Sequence, residues 1–150
     1  MLFRSGRYEG GKPGAPALLI GSHIDTVVNA GRYDGTLGVV AGIAAVEALH
    51  LPGVRYPFAI EIIAFGDEEG VRFPSTLLGS CAMAGTADPA MLDAADSKGL
   101  SVREALLALN PSAPSLDAAA RRPKDCLGYL EVHIEQGPVL EAEGDRKSVV

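Results

Sequence analysis

The sequence predicts an α/β fold, and three observations carry that reading. The runs "ALLIGSH" at 17–23 and "FAIEIIAF" at 58–65 are short, apolar and rich in branched side chains, the pattern of strands buried on both faces of a layered sheet. Between them, "GTLGVVAGIAAVEALH" at 35–50 has the length of a helix and is apolar on nearly all sides, so it is expected to pack beneath other layers. Strand, helix and strand in this order form a βαβ-like unit.

The remaining elements follow from local signals. "EGGKPGAP", "LPGVRYP" and "NPSAPS" are rich in Gly and Pro and separate the periodic segments. "DPAMLDAADSKG" and "LSVREALLALN" have helical composition, with Asp88 and Ser101 as N-caps and Gly99 as a helix stop. In "GYLEVHIEQGP" at 128–138, Leu130, Val132 and Ile134 alternate with Glu131, His133 and Glu135, which predicts a strand with one polar face. Pro138 then opens a short helix, "PVLEAEG".

Composition narrows the function. A chain of 150 residues can bury a core of its own. A net charge of -6, with one tight basic group at Arg121, Arg122 and Lys124, argues against a nucleic-acid surface. Cys81 and Cys126 form no CxxC pattern, so reduced thiols and a cytoplasmic location are expected. No stretch has the length of a membrane span, and "MLFRSGRYEGGKPG" lacks the apolar core of a signal peptide.

The chemistry concentrates at the ends of the predicted elements. "IAFGDEEGVRF" at 63–73 puts Asp67, Glu68 and Glu69 side by side after an apolar strand. Like charges so close repel, more strongly as the dielectric falls, unless a cation or a shared proton relieves them. "GSHIDTV" offers His23, with Asp25 two residues on, placed to fix the imidazole tautomer. "GRYDGTLG" offers Asp34 between glycines, and His133 lies on the polar face of its strand. Taken singly, each has an ordinary structural explanation: a core histidine, a turn aspartate, a solvated charge run, an exposed sheet face. Together, imidazoles and carboxylates at element ends suit zinc or a similar first-row cation.

In order, "GSHIDTV", "GRYDG", "FGDEEGVRF", "LLGSCAMAG" and "EVHIEQGPVLE" resemble the catalytic-domain motifs of the amidase/hydantoinase/carbamoylase family of dizinc hydrolases. That family includes N-carbamoyl-L-amino-acid hydrolases, allantoate amidohydrolases and the yeast-type β-ureidopropionase. The resemblance implies a three-layer αβα sandwich with a mixed, mostly parallel sheet, zinc-exopeptidase-like and incomplete in this chain. It implies two divalent ions, Zn or Mn/Co, with His23 on one, Asp34 bridging both, Glu69 on the other and His133 completing the site shared with His23. It makes Glu68 the general base and Gln136 a substrate contact, with a cis bond often following the bridging aspartate. Arg72 and Ser80 take structural roles first, and Cys81 none.

The same resemblance implies parts that these 150 residues do not carry: a smaller lid domain for homodimer contacts and an arginine for the substrate carboxylate, and a last metal-binding histidine. His50, at the end of the apolar helix, does not supply it. The tail "GDRKSVV" departs from the apolar strand expected after "PVLE", as in a truncated chain or one whose reading frame ends early, and such a fragment is expected to hold one metal. The expected activity is hydrolysis of a linear amide or ureido bond in N-carbamoyl amino acids or allantoate-like small molecules. A catalytically silent metal-binding fragment, or a related metallopeptidase or deacylase, is the alternative.

Overall fold

A computed structural model describes residues 2–111 and 115–144. The reading of the tail as a departure from strand falls almost wholly on residues 145–150, outside that range. Four strands, β1 (Phe3–Tyr8), β2 (Ala17–His23), β3 (Ala59–Phe65) and β4 (Cys126–Leu130), form one sheet in the order β1-β3-β2-β4. β2 is parallel to both β3 and β4, whereas β1 runs antiparallel to β3. The sheet is therefore mixed and mostly parallel, as expected.

Helices cover both of its faces. Helix α1 (Thr36–Leu49) crosses from β2 to β3, and two glycines let its backbone lie close on the sheet. A Cβ on Gly42 would meet Ile20 and Ile62 at 3.0 and 3.1 Å, and one on Gly38 would meet Ser22 Cβ at 2.6 Å. On the opposite face, Met83 of α2 (Leu78–Ala84) packs with Ala17, Leu19, Ala59, Ile63 and Phe65. A second cluster, Phe73, Leu78 and Val102, joins α2 to α3 (Val102–Leu109). Short helices α4 (Leu116–Ala119) and α5 (Val139–Glu143) complete the described chain.

Four expectations are corrected. β1 was not foreseen, because Arg4, Ser5, Gly6 and Arg7 give no apolar alternation and only its partner β3 defines it. α1 is not fully covered: Val40 and Ile43 are 61% and 55% exposed. The segment after Asp88 is one 3-10 turn, Pro89–Asp93, followed by a tight loop in which Asp96 accepts from the Lys98 and Leu100 amides. Gly99, at φ 81°, shapes that loop rather than ending a helix. Finally, the strand expected over 128–138 stops at Leu130, so His133 lies beyond the ladder. The Ser101 cap and the helix after Pro138 are as expected.

β3 also carries a buried charge. Glu61 is 4% exposed and is paired with Arg7 from β1 and Arg121 from the segment before β4.

Candidate metal centre

Three parallel strands end at the same edge of the sheet, where α/β folds commonly place their functional groups. β2 ends in His23, β3 leads into Asp67, Glu68 and Glu69, and β4 leads towards His133. Asp34 enters from the loop that starts α1, and it is fully buried, as is His23 at 2% exposure. Parallel topology thus gathers groups more than a hundred residues apart in sequence.

His23 Nε2 stands 2.8 Å from His133 Nε2. It is 4.0 Å from Asp34 Oδ1, 3.9 Å from Glu68 Oε2 and 3.8 Å from Glu69 Oε1. His133 Nε2 lies 3.6 Å from Asp34 Oδ1. The tautomers follow from the other ring nitrogens. His23 Nδ1 donates to the Asp25 main-chain carbonyl at 2.6 Å, and His133 Nδ1 to the Ile134 carbonyl at 2.7 Å. A carbonyl oxygen only accepts, so both Nδ1 atoms carry protons. In the neutral rings both Nε2 lone pairs then face each other with no hydrogen between them. A proton shared between them or a metal cation beside them removes that repulsion, and the buried carboxylate of Asp34 attracts either.

Among the described residues, two groups have the ligand chemistry to hold a cation: His23, Asp34 and His133, and separately His23, Glu68 and Glu69. The first is the set expected for one ion. The second pairs Glu69 with His23 and Glu68 rather than with Asp34. Between Asp34 and Glu69 lies the Gln136 amide, which donates to Asp34 Oδ1 at 2.6 Å and also to Glu69. Gln136 holds a left-handed backbone at φ 56°, uncommon for a residue with a side chain. Two imidazole nitrogens with a carboxylate suit a first-row divalent ion, so the residues fit such a group.

Asp25 acts differently from the expectation. Its main-chain carbonyl, not its carboxylate, accepts the His23 Nδ1–H hydrogen bond, and the carboxylate lies 4.0 Å from Nδ1. The carboxylate instead accepts the Glu68 and Glu69 amides, each at 3.0 Å from Oδ2. It therefore fixes the backbone of the acidic loop. Burial pushes the Glu68 carboxyl above its ordinary value, with Glu69 and Asp25 adding to the rise and His23 and His133 opposing it. Burial and the Asp25 charge likewise raise Asp67, whose Oδ2 is buried and has no hydrogen-bond partner.

Other expected residues stay outside the cluster. Arg72 binds Asp96 at 3.2 Å and lies over the Phe73 ring, and Ser80 donates to the Leu77 carbonyl, both structural contacts. His50 faces Tyr8 at the far side. No peptide bond among the described residues is cis, including Asp34 to Gly35. Sequence reasoning missed Ser22 and Glu131, which are hydrogen-bonded at 2.6 Å beside the two histidines. Their signal was present: Ser22 precedes His23, and Glu131 shares the alternation of His133.

The profile of peptidase family M20/M25/M40 matches residues 19–149. The chain belongs to this family. It is 46% identical over 139 residues to an N-carbamoyl-L-amino acid amidohydrolase of Geobacillus stearothermophilus, covering 93% of this chain and 34% of that protein. It is also 46% identical over 149 residues to allantoate deiminase 1 of Glycine max, covering 97% of this chain and 31% of that one. Among solved structures, a hydantoinase/carbamoylase family amidase from Burkholderia ambifaria superposes with a TM-score of 0.80 at 36% identity, over 95% of this chain and 34% of the other. AtUAH in complex with (S)-hydroxyglycine gives 0.81 at 33% identity, over 95% and 35%. The chain spans about a third of the length of these relatives.

Proposed function

We propose that this chain is part of the catalytic domain of a metal-dependent amidohydrolase that cleaves a linear C–N bond in an N-carbamoyl amino acid or an allantoate-like ureido compound. The observation that carries the reading is the pair of ring nitrogens facing each other at 2.8 Å beside buried Asp34, with Glu68 within 4 Å of His23. The names of the relatives, N-carbamoyl-L-amino acid amidohydrolase and allantoate deiminase, supply the substrate class.

His23, Asp34 and His133 would hold one divalent ion, and Asp34 with Glu69 a second, Zn or Mn/Co. Such ions, when bound, acidify water and polarise a carbonyl. The work left to the protein is proton traffic. Glu68, raised by burial, takes one proton from the attacking water and returns it to the leaving nitrogen as the C–N bond breaks, so the carboxylate is regenerated. Asp25 keeps Glu68 and Glu69 at fixed backbone positions throughout. Gln136, already reaching the centre, would contact the substrate once the carboxylates are engaged elsewhere. A lid domain, homodimer contacts and a cytoplasmic location belong to the same reading. Among the described residues, no helix is long and apolar enough to cross a membrane.

The test is product release from N-carbamoyl amino acids and allantoate with added zinc, manganese or cobalt. Glu68→Gln is expected to lose about 10²–10⁴-fold in turnover while its metal content stays at the wild-type level. Unchanged turnover would remove Glu68 from the chemistry. The coverage of a third of each relative favours a second reading, a metal-binding piece without turnover, whose signature is about one tightly held ion through the His23 group.

A further inference from the structure

The two histidines are brought together beyond the point where the sheet holds them. The β2–β4 ladder ends at Ile20 opposite Leu130. From there β2 continues through Gly21, Ser22 and His23 against β3 alone, and the chain after β4 continues through Glu131, Val132 and His133 with no ladder partner. Something else must fix the gap between His23 and His133.

A small polar tie spans it. The Ser22 hydroxyl, fully buried, donates to Glu131 Oε1 at 2.6 Å, and the Tyr129 hydroxyl donates to Glu131 Oε2 at 2.7 Å. The Glu131 carboxylate is thus held by one donor from each segment. Burial and the bond to Glu131 push the Tyr129 hydroxyl well above its ordinary value, so it stays a donor. α1 closes the third side: a Cβ on Gly38 would fall 2.4 Å from the Val132 carbonyl and 2.6 Å from Ser22 Cβ. The chain between Glu131 and His133 is therefore wedged between a hydrogen bond and a helix backbone.

We infer that Glu131 is a positioning residue: bridging Ser22 and Tyr129, it sets His133 opposite His23 and so fixes the geometry with which this pair meets a divalent cation. The inference rests on reading the histidine pair as a cation site. The Glu131 carboxylate bonds to Ser22 and Tyr129 rather than to a histidine nitrogen, so its effect passes through the main chain of residues 131–133. Partners that orient metal-binding side chains from outside typically alter affinity 10–100-fold.

The experiment titrates cobalt(II) into metal-stripped protein and follows its visible absorption, with thermal unfolding as a folding control. Glu131→Ala and Ser22→Ala are expected to weaken cobalt binding about 10–100-fold and to change the absorption envelope. Glu131→Gln, which keeps an acceptor for Ser22, should recover most of both. Wild-type affinity and spectrum in folded Glu131→Ala, alongside lost binding in His133→Ala, would overturn the positioning role and leave the cation site standing. The same holds if Glu131→Ala only lowers the melting temperature. If His23→Ala and His133→Ala leave cobalt binding unchanged, the cation reading fails and takes this inference with it.

Discussion

At the scale of single residues, the site depends as much on atoms that are absent as on ligands. Gly35 has φ 66°, and a Cβ there would lie 2.3–2.6 Å from three atoms of the His23 ring. Gly35→Ala should therefore cost at least about 1–3 kcal/mol from backbone strain alone and displace His23 as well. Urea unfolding and cobalt affinity, measured together, check both effects, and a variant as stable as the wild type would contradict the close approach. The ligand types were legible in sequence because imidazoles and carboxylates at strand ends have few other uses in that combination. What Asp25 does was not. Two residues' separation from His23 fits either a side-chain or a main-chain contact, and only the folded path of the loop chose the main chain.

At the scale of elements, caps and loops show where local chemistry suffices. Ser101 and Glu104 form a reciprocal capping box on α3, readable from sequence because the motif is closed within four residues. Ser101→Ala is expected to cost about 1 kcal/mol, seen as a lower urea midpoint with an unchanged slope. The Asp96 loop gives a pH signature. Amide donation from Lys98, then Leu100, and the Arg72 contact hold the Asp96 carboxyl below its ordinary value of 3.8. Its stabilisation is thus complete above that value and disappears as pH falls through the lower folded value. Asp96→Asn should be less stable near neutral pH, with the difference from wild type closing in acid; a constant difference across pH would show that charge plays no part. The strand expected over 128–138 failed for the opposite reason. The alternation in 130–135 does not match burial, since Leu130 and Val132 are as open as their polar neighbours, and the ladder needs a partner strand that β2 no longer offers past Ile20.

For the whole molecule, Glu61 links three segments distant in sequence: β1 through Arg7, β3 by its own position, and the approach to β4 through Arg121. Glu61→Ala removes the carboxylate that holds Arg121 and one partner of Arg7, which keeps Glu9 and the Ala15 carbonyl. It should cost roughly 1–3 kcal/mol, less than a fully buried pair because both arginines keep access to solvent, measurable as a drop in melting temperature. Among the described residues, no strand pairs with the outer side of β4. β4 carries no charge, and Leu127, Leu130 and nearby Val132 are 56%, 55% and 51% exposed. An uncharged apolar edge favours strand pairing between molecules. Light scattering of the 150-residue chain is expected to rise with concentration, and Leu127→Lys to suppress it; a wild-type chain that stays monomeric at high concentration would rule this out.

By itself the sequence determined the α/β class, β2, β3 and α1 to within a residue or so, the cap of α3 and the list of groups that could meet a cation. Each of these depends on apolar periodicity or on bonds closed within a few positions. The tertiary structure alone decided that β1 is a strand, that β4 stops before His133, and that the two ring nitrogens face each other with Glu131 bridging the gap. Those features are set by partners up to 110 residues away, and no local pattern records such a partner before the parallel strands bring their ends to one edge.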